Sequence, residues 1–510
     1  MRDHSRSVAA TRPGNSGSVL YSAALIFAAF LAMLWGFILN GAPFFYFDTI
    51  SYIDTGQRLI DLLLAFLGFD MVGPKIGELT PEASSEMQSS NSINAARSWV
   101  FATLLGFFAK FHLLWLAIIF QAGLVLMLSW MIGRVVLRDT SYSTTPIAIA
   151  CWPLIFCAAS SLPFFVPYLM PDLMGALGIL SIAVLAVFWA KLTWLEITVF
   201  WIVALASVYF HISHLIIAAI SLPVVAIFAL ISVRKAWWRP FLLVALLTPA
   251  GLLPNTALKF LAKATLDTPT TVIYTPFLTA RLIVDGPGYS YLEAKCPDQR
   301  IATCRLYEAL QWSDDPWRMT ASHIIFEFSE RLGSYQLLPE EDKIAIAQEQ
   351  MTFFKLVLID RPFDVSWAFF RNAIDQLVTF SIDMTLQTDE MILSAKDLDS
   401  QLSSEFEHGR LTQDRAWLAW ADPIQAGLYA LASVLLISAL LLPQSGLDRR
   451  LRTFLLLVLL GLFANALICG GVSQPASRYG ARVIWILPYM AGLSCLLWWS
   501  GGMSSKAEYG

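Results

Sequence analysis

Residues 19–40 read VLYSAALIFAAFLAMLWGFILN, and a short acidic segment follows at Phe47-Asp48-Thr49-Ile50-Ser51-Tyr52-Ile53-Asp54. The first run is about 20 apolar residues long, enough to span the hydrocarbon core of a bilayer. It is too long for a signal-peptide core and lacks a small-x-small cleavage site, so it reads as a retained anchor. The second stretch places two carboxylates where that span meets water. An ionised group is costly to keep partly dehydrated there, which invites a functional explanation.

Of the 510 residues, 57% are hydrophobic and 14% charged, against roughly 25% charged in soluble domains. The composition is that of an all-α polytopic membrane protein. A net charge of −4 says little about partners, and no basic-aromatic stripe points to nucleic acid. About ten spans can be placed: 19–40, 111–133, 145–165, 171–190, 194–212, 214–232, 241–261, 423–443, 453–471 and 482–500. With a cytoplasmic N-terminus, the short cytoplasmic loops carry Arg134 and Arg138, then Lys191, then Arg234, Lys235 and Arg239, and finally Arg449, Arg450 and Arg452. That is the positive-inside pattern, and it puts both termini in the cytoplasm. The resulting map has tails at 1–18 and 501–510, a membrane core at 19–261, an external segment at 262–422 and C-terminal membrane helices at 423–500. The turn at His211-Ile212-Ser213-His214, between the fifth and sixth spans, must be tight.

The first external loop, 41–110, holds an amphipathic stretch from Arg58 to Phe69 and a Ser/Glu/Asn-rich linker from Glu78 to Asn94. A second apolar stretch runs from Ala96 to Phe108. Stretches of this kind can lie in the interface plane. The external segment is polar, with helical patterning around Lys343 to Ile359 and Phe363 to Phe380. Cys296 and Cys304 fall in it; an oxidising compartment would make them a local disulfide, and two reduced buried thiols are the alternative. Cys151, Cys157, Cys469 and Cys495 lie in apolar spans, where inert packing is the default.

Several ionisable groups collect on the external side. Asp48 follows Pro43 and four aromatics, a combination that marks headgroup level. A carboxylate there can accept a proton from a hydroxyl nucleophile, or simply cap the following helix. Tyr52 lies one turn on and could orient it. Asp172, after Pro171, either starts the fourth span or serves as a second carboxylate. His211 and His214 share a face if their helix continues. They could donate to a phosphate or bind a metal, or act as interfacial hydrogen-bonders. Arg478 and Arg482 stand one turn apart on the side where positive charge is not expected. They suit phosphate oxygens, with snorkelling anchors as the alternative. Lys259, with Lys263 and Arg281, could add positive potential above the membrane. No Walker loop, dinucleotide glycine pattern, zinc motif or nucleophile elbow occurs.

From these elements the chain resembles the GT-C superfamily of polytopic membrane glycosyltransferases. The likeness rests on Asp48 and Tyr52 after the first span, the long first external loop, Asp172 in the second external loop and the later extra-membrane segment. It covers residues 19 to 261 best. It implies transfer of a sugar from a polyprenyl-phosphate-linked donor to a glycan, glycolipid or protein acceptor, in a bacterial inner (plasma) membrane. Asp48 then resembles the general base and Asp172 an acceptor- or metal-organising group, with Arg478 or Arg482 on the carrier phosphate. Many relatives have a paired acid where this chain has Asp48-Thr49. That departure bears on the one cofactor the likeness brings in, a divalent cation. Two other readings compete. A lipid or polysaccharide flippase or transporter would need ionisable residues near the middle of spans and paired repeats, which are scarce here. A polysaccharide polymerase or ligase of another fold would rely on the external arginines and a histidine instead of Asp48.

Overall fold

The computed structural model describes residues 16–66, 92–94, 97–138, 144–265, 271–296, 301–396, 398, 400–407, 409–442 and 447–507. The regular secondary structure of the described residues is helical, apart from one pair of three-residue strands and one isolated bridge. Eight helices are long and apolar enough to cross a membrane: Val19–Asn40, Leu114–Leu137, Leu173–Lys191, Ile212–Ala236, Trp238–Ala257, Leu418–Leu441, Arg449–Ser473 and Ser477–Ser500. This is the make-up of a multi-pass membrane protein. Each coincides with an expected span.

The other two expected spans are shorter. The stretch 145–165 is two pieces, Pro146–Phe156 and Leu162–Phe165, joined by a tight turn. Pro153 removes a backbone donor within the first piece, and a proline in a helix interior costs about 3 kcal/mol. The stretch 194–212 is a 17-residue helix, Trp194–Phe210, opened by a capping box between Thr193 and Glu196.

The elements that position the candidate site are α1 (Ser16–Asn40), α2 (Phe47–Phe66), α3 (Trp99–Lys110), α4 (Leu173–Phe188), α5 (Trp194–Phe210), α6 (Ile212–Val233) and α7 (Pro362–Val378). The last four are α8 (Leu418–Leu441), α9 (Arg449–Ile468), α10 (Ser477–Ile484) and α11 (Ile486–Ala507). α4 is buried along its whole length, as a helix that is apolar all round must be. It packs on α5, α6, α9 and α10 and is the axis of the membrane part.

The amphipathic stretch of the first loop falls in α2, which begins earlier, at Phe47, and the apolar stretch in α3, with residues 67–69 and 96 outside the described ones. The two helices run parallel, Tyr52 beside Phe101 and Asp61 beside Lys110. Gly56 and Gly106 meet at their crossing, where a Cβ on either would run into the other helix's backbone. Lys110 pairs with Asp61, and Arg58 with Asp54 at 3.0 Å. The linker between them lies largely outside the described residues, but Ser92–Asn94 pairs in parallel with Thr271–Ile273. The segment between the helices Leu247–Thr265 and Leu418–Leu441 has its own apolar core around Leu282, Leu306, Ile324 and Phe353, and a disulfide joins Cys296 to Cys304. Arg281, expected to project positive charge over the membrane, is instead buried against Asp285, which Asn372 also binds at 2.7 Å.

Candidate active site

Two backbone ties bring the loop after α1 and the loop before α4 together. Phe44 pairs with Tyr168 in a parallel bridge, with Phe44 N–H donating to Pro167 O at 3.3 Å and Leu169 N–H to Phe44 O at 2.9 Å. The Thr49 hydroxyl accepts from Tyr46 N–H at 3.0 Å, half of a capping box, and donates to Leu169 O at 3.2 Å. The start of α2 is thereby fixed beside the start of α4.

Asp48 sits in the first turn of α2, where the positive end of the helix dipole favours a carboxylate. It does not cap the helix; its partner is Arg97. Arg97 Nε and Nη2 reach Asp48 Oδ1 at 3.0 and 2.8 Å, while Nη1 donates to Ser51 Oγ at 2.9 Å. Both contacts fall on one carboxylate oxygen, and Oδ2 takes no donor among the described residues. The side chains remain accessible, 29% for Asp48 and 46% for Arg97.

Behind them lies a buried charge cluster. Asp172 precedes α4 yet makes no side-chain cap. Its Oδ1 accepts from Arg478 Nε at 3.1 Å and lies 3.6 Å from Arg482 Nη1. All three side chains are almost wholly buried. The arginines therefore face a carboxylate across the fold and do not snorkel to the surface. Arg478 also stacks over the Tyr46 ring, 4.7 Å from its centroid. Arg482 is held by Asn465 Oδ1 at 2.9 Å and Ser213 Oγ at 3.2 Å. The segment presenting both arginines leaves α9 through a π-helical turn, Cys469–Ser473, a distortion frequent at functional sites.

Ser213 Oγ contacts His211 Nδ1 at 2.8 Å, which connects the histidines to the cluster. The helix does not continue through them. His211 is extended, ends α5 and caps α6 by accepting from Ser213 N–H. The two rings still approach to 5.2 Å. His214 is buried, with Nδ1 on Ser207 O at 3.1 Å, and its Nε2 has no partner among the described residues.

Tyr46 is the hinge between the two groups of charges. Burial pushes its phenol up, Arg478 opposes that push, and Asp48 and Asp172 add to it. Burial likewise raises the Tyr52 phenol, with Asp48 the next contributor. Tyr52 packs edge-on against Phe101 at 5.0 Å and makes no hydrogen bond to Asp48; Arg97, itself bonded to Ser51, does the orienting expected of it. Lys259 falls within the helix Leu247–Thr265, but its side chain lies outside the described ones.

A divalent cation does not suit this arrangement. Asp48 and Asp172 each face guanidiniums, and among the described residues no group of three His, Cys, Asp or Glu could hold a metal. A cavity of about 310 Å³ lies elsewhere, between the end of α1 and the 404–409 stretch, lined by Asn40, Pro43, Trp115 and Glu405. None of the site residues lines it.

The structure thus gathers Asp48, Tyr52, Asp172, His211, His214, Arg478 and Arg482 and adds Tyr46 and Arg97. Arg97 gives no signal in the sequence, since one arginine after a polar linker looks like any solvated loop charge. Compared with known family models, curated proteins and solved structures, the chain matches none.

Proposed function

We propose that the chain is an integral membrane glycosyltransferase that moves a sugar from a polyprenyl-phosphate donor to an acceptor on the outer face, with Asp48 as general base. The observation that carries this reading is the meeting, at the start of α2, of an accessible carboxylate with guanidiniums from two distant segments of the chain. Asp48 Oδ2 is open to take the proton of an acceptor hydroxyl. The hydroxyl oxygen attacks the anomeric carbon while the bond from that carbon to the phosphate oxygen breaks, and the electron pair leaves with the phosphate. Arg97 stands beside Asp48 to offset that charge, and Arg478 and Arg482 add to the field from behind. Three guanidiniums against two carboxylates leave these five groups net positive, which favours an anionic carrier.

The proposed topology has ten crossings, with Asp48 external and both termini cytoplasmic in a bacterial inner membrane. At the far end of α4 from Asp172, Arg138 binds Glu196 and Lys191 donates to the Arg138 carbonyl. The 19 residues Leu173–Lys191 separate the two ends, roughly 28 Å at 1.5 Å per residue. That matches a bilayer with the basic cluster inside and the site outside.

The test is Asp48→Asn at normal abundance in the membrane, scored by loss of one envelope glycan and accumulation of its lipid-linked donor. Removal of a general base lowers the rate roughly 10²–10⁴-fold. Retention of that glycan would remove Asp48 from the chemistry. If Arg478→Lys or His211→Gln abolished the glycan while Asp48→Asn left it intact, the polymerase or ligase reading would take over.

A further inference from the structure

α7 belongs to the external segment, yet it is apolar on two opposite faces. Val365, Ala368, Asn372 and Gln376 are buried against the rest of the fold. At 100° per residue, Phe363, Trp367, Phe370, Ile374, Leu377 and Val378 fall on the reverse face, and all six are exposed, from 37% at Leu377 to 86% at Phe363. A contiguous apolar strip of this size is uncommon on a surface bathed only by water. The charges of the helix, Asp364, Arg371 and Asp375, gather on one flank between the two faces.

We infer that the reverse face of α7 is immersed in the outer leaflet of the bilayer, making α7 an interfacial membrane helix within the external segment. Its neighbours argue for lipid as the occupant. Asn372 O and the Phe369 ring lie against Gly470 and Gly471, at the outer end of the span Arg449–Ser473. Just past the end of α7, Ser381 Oγ donates to Asp422 at 3.0 Å and the Phe380 ring rests on Tyr429 at 5.2 Å. Tyr429 lies seven residues inside the span that begins at Leu418, measured from Asp422. The C-terminal end of α7 is therefore beside the spanning helices at apolar depth, and its exposed strip continues their lipid-facing surface. Trp367 and two phenylalanines supply the aromatic side chains that favour the headgroup boundary, and the one-sided charge suits a helix lying in the interface plane. This inference does not rest on the transferase reading.

The test uses the full chain in nanodiscs of phosphatidylethanolamine and phosphatidylglycerol. They are doped with a phosphatidylcholine that carries a diazirine on its acyl chain. After photolysis, adducts are mapped by mass spectrometry. The strip residues are expected to carry adducts at a level comparable to the lipid-facing Leu431 and Leu460 of the spans. Trp367→Asp and Phe370→Asp, both at exposed positions that leave the buried face intact, are expected to reduce labelling of the strip several-fold while Leu431 labelling stays the same. Adducts on Leu431 and Leu460 but none on the strip would overturn the inference. So would labelling of the strip by a water-soluble carbene precursor, or its protection from both reagents in particles holding two copies of the chain.

Discussion

Replacing Asp172 by asparagine leaves Arg478 and Arg482 buried without a counter-charge. Breaking a buried ion pair by removing one partner costs about 3–5 kcal/mol. The Asp172→Asn protein should therefore unfold at a clearly lower temperature in detergent, and an unchanged melting curve would show that the carboxylate is not the anchor of the arginines. Arg97 calls for the opposite outcome, because it is exposed and its loss uncovers no buried charge. Arg97→Ala should melt like the parent yet lose transfer activity, with Arg97→Lys recovering only part because a point charge cannot fork across Asp48 and Ser51. An Arg97→Ala protein of full activity would remove Arg97 from the site. The contrast also explains what the sequence disclosed at this scale. Asp48, Asp172, Arg478 and Arg482 stand out because ionisable groups at the ends of apolar helices are costly. Arg97 and Tyr46 are ordinary loop residues until the fold brings together the loop after α1, the loop before α4 and the loop after α9.

Among the elements, the α2–α3 pair depends on close backbone approach at Gly56 and Gly106. Gly56→Val should destabilise it by about 1–3 kcal/mol, the usual penalty of overpacking. Amide exchange across 47–66 should rise while the separate apolar core around Leu282 and Phe353 stays protected; equal exchange in both would contradict the packing. α7 offers a second check. Gln376 is buried and bonds Ala476 through both its amide groups, at 3.0 and 2.9 Å. Gln376→Ala strands those backbone groups at a cost of about 1–3 kcal/mol, and the segment 474–482 should become a preferred protease site. Hydropathy located the eight helices long and apolar enough to cross a membrane but could not tell one span from two short pieces at 145–165, because Pro153 and the turn at Cys157–Ala159 are themselves apolar. The amphipathic and the apolar stretch of the first loop are legible in the sequence, though α2 starts 11 residues before Arg58. Their mutual packing is not, since it turns on two glycines far apart in the chain.

For the molecule as a whole, a fluorescent protein fused to the C-terminus should light up in the cytoplasm, and a cysteine replacing the exposed Arg331 should react with an impermeant maleimide from outside. The reverse pattern would invert the proposed orientation and put Asp48 on the wrong side for a lipid-linked donor. One further consequence follows from the pairing of Asp172 with Arg478 across 306 positions of chain. At about 5–20 residues per second of synthesis, the acid leaves the ribosome roughly 15–60 seconds before its cation exists. Through most of translation the nascent chain thus carries an uncompensated carboxylate at the start of the span that ends up most deeply buried. Only the arrival of the last segment places that cation beside it.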